Sequence, residues 1–314
     1  MKISVVMATF NGIHYLEEQL ESIRLQTLEP DEVIICDDAS TDGTYEFICH
    51  YVNQFHLEKW KVMKNSENQG WIKNFYKLFE STNCDLIFCA DQDDIWFNNK
   101  IQIMSDIMKS DTNIKVLGGN NIRVDAYGKN KKKIKITDVL NKGKLIKIEW
   151  NGRFYLTHRP GCALCFTKQL LPYINKMQTE FYPHDQLLWN VACILDGAYI
   201  INRDVILQRR HNESAMIKKK KQNDRIFEIE NTLRIIKICK NNISLNTPNK
   251  IEKQKIIERT EKFFELRIAF MNRSNLKSGF QLLKYLSFYP RYRSFLADVK
   301  ERLENDNIPK KQSK

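Results

Sequence analysis

Short, nearly continuous apolar runs alternate with apolar stripes at helical spacing through the first hundred residues. Residues 3–8, Ile-Ser-Val-Val-Met-Ala, form the first run, as expected of a strand covered on both faces. From Ile13 to Leu25, apolar residues recur at 13, 16, 20 and 23 while Glu17, Glu18 and Glu21 fall between them, which predicts an amphipathic helix. The alternation continues as a strand at Val33–Cys36, a helix over 45–55, a strand over 60–63, a helix over 71–79 and a strand over 85–89. Strands separated by single helices predict an α/β fold with a largely parallel central sheet.

The next hundred residues are less regular. They predict a helix at Ile101–Met108, a strand at Val116–Val124, a solvated basic loop over 127–135 and a strand at Cys162–Phe166. An amphipathic helix over Asp185–Leu195, ended by Gly197, and a last strand at Val205–Arg210 leading to His211 complete this part. Beyond the lysine run 218–221 the pattern is helical throughout, over 225–240, 250–271 and about 278–304, with Asn-, Pro- and Ser-containing breaks.

Charge divides the chain at the same place. Of its 314 residues and net charge of +12, residues 215–314 carry 24 Lys and Arg against 11 Asp and Glu, whereas 1–214 are close to neutral. The expected organisation is a catalytic or binding domain over 1–214, with halves of about 1–100 and 101–214, followed by a basic helical region over 215–314. Eleven Gly and seven Pro exclude collagen-like and low-complexity classes. No run approaches the ~20 apolar residues of a membrane span, and the N-terminus lacks a signal-peptide pattern. Eight scattered Cys read as reduced thiols, so the expected location is cytoplasmic. The stretch 284–295 interleaves aromatic and basic residues, which suits peripheral attachment to an anionic membrane surface. A helical lid or an oligomerisation element is the competing reading. No motif points to nucleic acid.

Ligands of open α/β sheets bind outside the carboxyl ends of strands. Polar clusters fall at four such ends: Thr9-Phe10-Asn11, Asp37-Asp38, Asn68-Gln69-Gly70 and Asp91-Gln92-Asp93-Asp94. In an extended turn Asp91 and Asp93 share a side and Asp94 points away. Such carboxylates repel unless a cation lies between them, and Mg²⁺ or Mn²⁺ suits oxygen ligands of this kind. A helix-capping acidic loop is the plainer alternative. Pro183 places Asp185 in the first turn of a helix, where the dipole stabilises its charge. On a strand, Arg209 and His211 share a face. Cys162 and Cys165 on a strand point to opposite faces, which argues against zinc, and Gly161 reads as a turn residue.

Taken in order, SVVMATFNG, VIICDDASTDGT, ENQG followed by Asn74, and ADQDDIW resemble the family 2 glycosyltransferases of GT-A fold. DQDD with a later His-Asp is similar to the bacterial rhamnosyltransferase-like subgroup. The resemblance, over roughly 1–214, implies an inverting, metal-dependent transfer of a sugar from a nucleotide-diphospho donor, dTDP-rhamnose or a UDP-hexose. The acceptor it implies is a saccharide or lipid-linked glycan in surface polysaccharide synthesis. It places Thr9, Phe10, Asn11, Asp38, Asn68, Gly70, Asn74, Asp91 and Arg209 on the donor, Phe10 as a stacking face and Asp38 as acceptor for a pyrimidine N–H. It places Asp93, Asp94 and His211 on the metal, and makes Asp185 the general base. The sequence lacks the Gly-rich loops of nucleotidyltransferases and of dehydrogenases after its first strand. A non-catalytic nucleotide-sugar-binding or assembly protein with the same fold is the alternative.

Overall fold

A computed structural model describes residues 1–125, 143–210, 225–244, 246–272 and 277–306, with 304–306 by backbone alone. The basic loop at 127–135, His211 and the lysine run 218–221 lie outside the described residues. Contacts group the chain into two compact units, one of residues 1–149 with 157–214, the other of 150–156 with 215–314.

In the first unit, β1 (Ile3–Thr9) pairs in parallel with β2 (Glu32–Asp37) on one side and with β4 (Leu86–Asp91) on the other, and β2 pairs in parallel with β3 (Trp60–Lys64). The successive residues Val5, Val6 and Met7 are all fully buried, which is why the strand reads as an unbroken apolar run. Helices α1 (Ile13–Arg24), α2 (Thr44–Gln54) and α3 (Trp71–Ser81) follow the first three strands. Past β4 the pairing turns mixed. The order continues through β8 (Leu164–Thr167), β6 (Val116–Val124), β9 (Ala198–Arg209) and the two-residue β5 (Ile95–Trp96), with β7 (Leu145–Lys147) also on β9. Here only β6 and β9 run parallel to each other. Helices α4 (Lys100–Ser110), α5 (Leu171–Met177) and α6 (His184–Ile194) complete the unit.

Two expectations change. Gly161–Ala163 forms a turn of 3-10 helix before β8 begins at Leu164, so Cys162 is not on a strand and the opposite-face argument does not apply to it. Strand β9 begins at 198 rather than 205. The polar Asn202-Arg203-Asp204 interrupts its apolar run, and register shifts in its pairing with β6, on either side of Asn120, fall at that point.

The second unit contains α7 (Arg225–Asn241), α8 (Lys250–Met271), α9 (Lys277–Leu282), a 3-10 segment over Leu283–Phe288 and α10 (Tyr292–Asp306). The single helix expected over 278–304 is broken before Pro290. Tyr289 takes an extended ψ of 145°, because a residue preceding proline is pushed out of the helical region. Segment 150–156 packs with this unit: Tyr155 stands edge-on to Phe264 at 4.9 Å and its hydroxyl donates to the Phe288 carbonyl at 2.7 Å. Asp298, fully buried, accepts from Arg267 Nε (2.8 Å) and Nη2 (3.0 Å), Arg225 Nε (2.7 Å) and the Tyr289 hydroxyl (2.9 Å).

Removing one partner of a buried ion pair leaves an uncompensated charge. Asp298→Ala strands the buried Arg267 guanidinium and is expected to cost the helical unit about 3–5 kcal/mol, measured by guanidinium denaturation followed by circular dichroism.

Candidate active site

Parallel register aligns the strand ends. Thr9 lies opposite Asp37, Ala8 opposite Asp91 and Asp37 opposite Lys64, so the loops after β1, β2, β3 and β4 leave one edge of the sheet together. Most acids there are satisfied by the chain itself. Asp37 accepts from the Thr9 hydroxyl at 3.0 Å and from the Ser40 amide and hydroxyl at 2.9 and 2.6 Å. Asp42 accepts the Thr44 amide and hydroxyl at 3.0 and 2.6 Å and the Ile13 amide at 3.2 Å, tying the start of α2 to the start of α1. Asn11, at a left-handed φ of 46°, accepts the Thr41 amide at 2.9 Å.

Asp38, 2% exposed, accepts from Asn65 Nδ2 at 2.7 Å, the Gln69 amide at 3.0 Å and the Gly70 amide at 2.8 Å. It draws the 65–70 loop onto the end of β2 and, of the about four lone-pair sites of a carboxylate, keeps one for a ligand. Asn68 also accepts the Gly70 amide, at 3.0 Å, and Gly70 holds a φ of 85° that only glycine adopts without cost. Asn74 is buried and donates to the Cys36 carbonyl at 2.9 Å. Thr9 and Asn74 thus turn inward and act on the loops, while Phe10, 44% exposed, presents an open aromatic face and is not core.

The loop after β1 is fastened to the acidic loop by Gln92. Its side-chain amide accepts the Phe10 N–H at 2.7 Å and donates to the Phe10 carbonyl at 3.0 Å, pairing as a strand neighbour would. A Cβ at Gly12 would fall 2.3 Å from Gln92 Cδ, so a larger residue there would push Gln92 off Phe10. Sequence reasoning passed over Gln92, whose only signal is its place between two acids.

The acidic residues do not alternate as an extended turn would. Gln92 and Asp93 form a tight turn, which brings the Asp94 carboxylate beside that of Asp91, with the Cys162 thiol, all within 4.8 Å of one another. Asp94 Oδ1 accepts the Arg209 amide at 3.1 Å, since β5 pairs with β9 immediately after it; its Oδ2 is buried without a hydrogen-bond partner. Burial, then the Asp93 charge, pushes Asp91 up to about 7; burial, then Asp91, raises Asp94 well above the carboxylate range. Two hard carboxylates with an orphaned buried oxygen fit a divalent cation such as Mg²⁺ or Mn²⁺. Burial keeps the Cys162 thiol protonated, so it adds no charge. Asp93 is half-exposed and lies outside this trio, though its charge bears on both neighbours.

Lys100 lies behind the trio, fully buried, with Nζ donating to the Cys162 carbonyl at 2.6 Å and sitting 3.3 Å from the Trp96 ring centroid; burial lowers it to about 7. Gln208 donates weakly to Cys162 Sγ at 3.8 Å and is itself held by Asn121 at 2.7 Å. Arg209, 5% exposed, pairs with Glu18 and lies 5.5 Å from the Tyr15 ring, while its Nε and Nη1 have no hydrogen-bond partner.

Asp185 occupies the first turn of α6, half-buried, with Oδ1 accepting the Gln186 amide at 2.8 Å. Its charge is one of those that raise Asp91 and Tyr76, so the base candidate and the acidic loop share one electrostatic neighbourhood. His184 beside it is buried against Phe75 at 3.8 Å and held neutral, near 3, by burial. A Cβ at Gly161 would meet its Nε2 at 2.3 Å, so Gly161 makes room for a histidine ring.

A profile of glycosyl transferase family 2 matches residues 4–168. The chain belongs to this family. Among relatives, the dTDP-rhamnosyl transferase RfbG of Shigella flexneri is 27% identical over 222 residues, 67% of this chain and 73% of that protein. Among solved structures, Staphylococcus aureus TarS 1–349 with UDP-GlcNAc superposes with a TM-score of 0.62 at 18% identity, covering 92% of this chain and 80% of that one. The mannosyltransferase PcManGT of Pyrobaculum calidifontis, in complex with GDP-Man and Mn²⁺, gives 0.58 at 16% identity, covering 99% and 88%.

Asp91 carries a pH signature. Its folded-state value of about 7 exceeds the unfolded 3.8, so ionisation disfavours the folded chain. Metal-free stability is expected to fall as pH rises across that window, and Asp91→Asn flattens the fall, read by thermal melts.

Proposed function

We propose that this chain transfers a sugar from a nucleotide-diphospho donor to an acceptor hydroxyl with inversion at the anomeric carbon. The observation that carries the reading is the placement of Asp185, on a separate helix, within electrostatic reach of the Asp91–Asp94 loop. A carboxylate in the first turn of a helix, open to an acceptor hydroxyl, suits a general base.

Asp185 takes the proton of the acceptor hydroxyl as its oxygen bonds to the anomeric carbon. The bond from that carbon to the diphosphate oxygen breaks on the opposite face, and its electron pair leaves with the nucleoside diphosphate. The unpaired Nε and Nη1 of Arg209 are donors suited to the charge that gathers there. A divalent cation, when bound by Asp91, Asp93 or Asp94, supplies further positive charge to the diphosphate. Phe10 offers a face for the nucleotide base, and Asp38 its remaining acceptor site for a ring N–H. RfbG supports dTDP-rhamnose as the first donor to test, and TarS supports a UDP-sugar as the second. A saccharide or lipid-linked glycan is the acceptor we assign. Among the described residues no helix is long and apolar enough to cross a membrane.

Asp185→Asn is expected to retain donor affinity by calorimetry while transfer falls ~10²–10⁴-fold; retained turnover refutes the base. Asp94→Ala and Asp93→Ala are each expected to weaken cation-dependent donor binding. Binding of dTDP- and UDP-sugars without any turnover, unchanged by Asp185→Asn, would instead identify a nucleotide-sugar sensor.

A further inference from the structure

Helix α10 is built inside out. Its inward side carries Asp298, fully buried, and Arg302, 9% exposed, whereas Tyr292, Leu296, Val299 and Leu303, at helical spacing, lie along the other side. Of these, Tyr292, Leu296 and Leu303 are 68%, 57% and 58% exposed. The preceding segment repeats the arrangement, with Phe280, Leu283 and Leu286 at 78%, 51% and 45%. Scattered exposed apolar residues are ordinary, but six large ones within 24 residues of one unit ask for a partner surface.

The charges between 277 and 303 say which partner. Lys277, Lys284, Arg291, Arg293 and Lys300 are all exposed. The two acids of this stretch are not: Asp298 is buried under its arginines, and Glu301 is half-buried 3.6 Å from Arg225. Between 277 and 303 the fully exposed charges are therefore all basic, and Glu304 and Asp306 follow only at the end of α10. A second copy would set like charge against like charge, and four of the six exposed apolar residues are leucines, which offer a nucleic acid neither stacking nor hydrogen bonds. Apolar groups rimmed by cations match the boundary between phospholipid headgroups and acyl chains.

We infer that the surface of α9, the 3-10 segment and α10 docks on an anionic phospholipid bilayer, with Phe280, Leu283, Leu286, Leu296 and Leu303 entering the headgroup boundary. The lysines and arginines lie on the lipid phosphates. This docking goes beyond the sugar-transfer reading and does not depend on it; it brings the chain to an acceptor carried by a lipid.

Flotation of the full chain with vesicles of phosphatidylcholine and phosphatidylglycerol, against vesicles of phosphatidylcholine alone, tests the inference. The chain is expected to float with the anionic vesicles only, and ~0.5 M salt weakens that attachment. Arg293→Gln and Lys300→Gln each lower the partition coefficient about fivefold, and Leu296→Ser with Leu303→Ser abolishes flotation. These positions are exposed, so thermal melts of the variants should match the parent. Equal flotation by the variants, or indifference to lipid charge, overturns the inference. So does a dimer by light scattering that the double leucine variant loses while no vesicle binding is seen. Calorimetry of donor binding without lipid is run in parallel: normal donor affinity with failed flotation removes the docking surface alone, and flotation without donor binding removes only the transferase reading.

Discussion

Carboxylate repulsion at the carboxyl edge of the sheet is the constraint around which the first unit is arranged. Parallel pairing of β1 with β2 and β4 brings Asp37, Asp38 and Asp91 to one edge, with Asp93 and Asp94 one loop further on. A cluster of this kind holds together only if each charge is answered. The protein answers Asp37, Asp38 and Asp42 with its own amides and hydroxyls, and those bonds shape the loops. It leaves Asp91 and Asp94 mutually destabilised, with a buried oxygen of Asp94 unpaired. That residual imbalance is what a cation can relieve.

The same division separates residues that position the loops from those the chain itself leaves unsatisfied. Gln92 fastens the β1 loop to the acidic loop, Asp38 draws in the loop after β3, and Asn74 holds the end of β2. The Asn74 bond is buried and the Asp38 bond partly so, whereas the Gln92 pair lies at the surface. What stays unsatisfied or open includes the face of Phe10, one acceptor site of Asp38, the buried Oδ1 of Asn74, two donors of Arg209 and one oxygen of Asp94.

The second unit follows a different logic. Its interior is organised by one aspartate shared between two arginines, packed among aromatic rings with Arg267 4.9 Å from the Tyr289 centroid. Inward charges leave the outer positions of α10 to leucine and tyrosine, the reverse of a helix that only covers a core.

Much of this was legible in the sequence. Strands β1 to β4 and helices α1 to α3 follow from apolar spacing, whereas the two-residue β5 carries no such pattern. The four polar clusters at strand ends, the first-turn position of Asp185 and the basic character of 215–314 are likewise local facts. Tertiary structure decided the rest. Whether Asp91 meets Asp93 or Asp94 depends on a tight turn and on β5 pairing with β9, where Trp96 lies opposite Ile206, 110 residues further along the chain. Gln92, Lys100, Cys162 and Gln208 gain their roles only from partners distant in the chain, and Gly161 from a histidine ring on another element. Periodicity reports what a residue's own element buries; it carries no information about which distant side chain shares that space, and there the long-range pairing of the sheet has the deciding part.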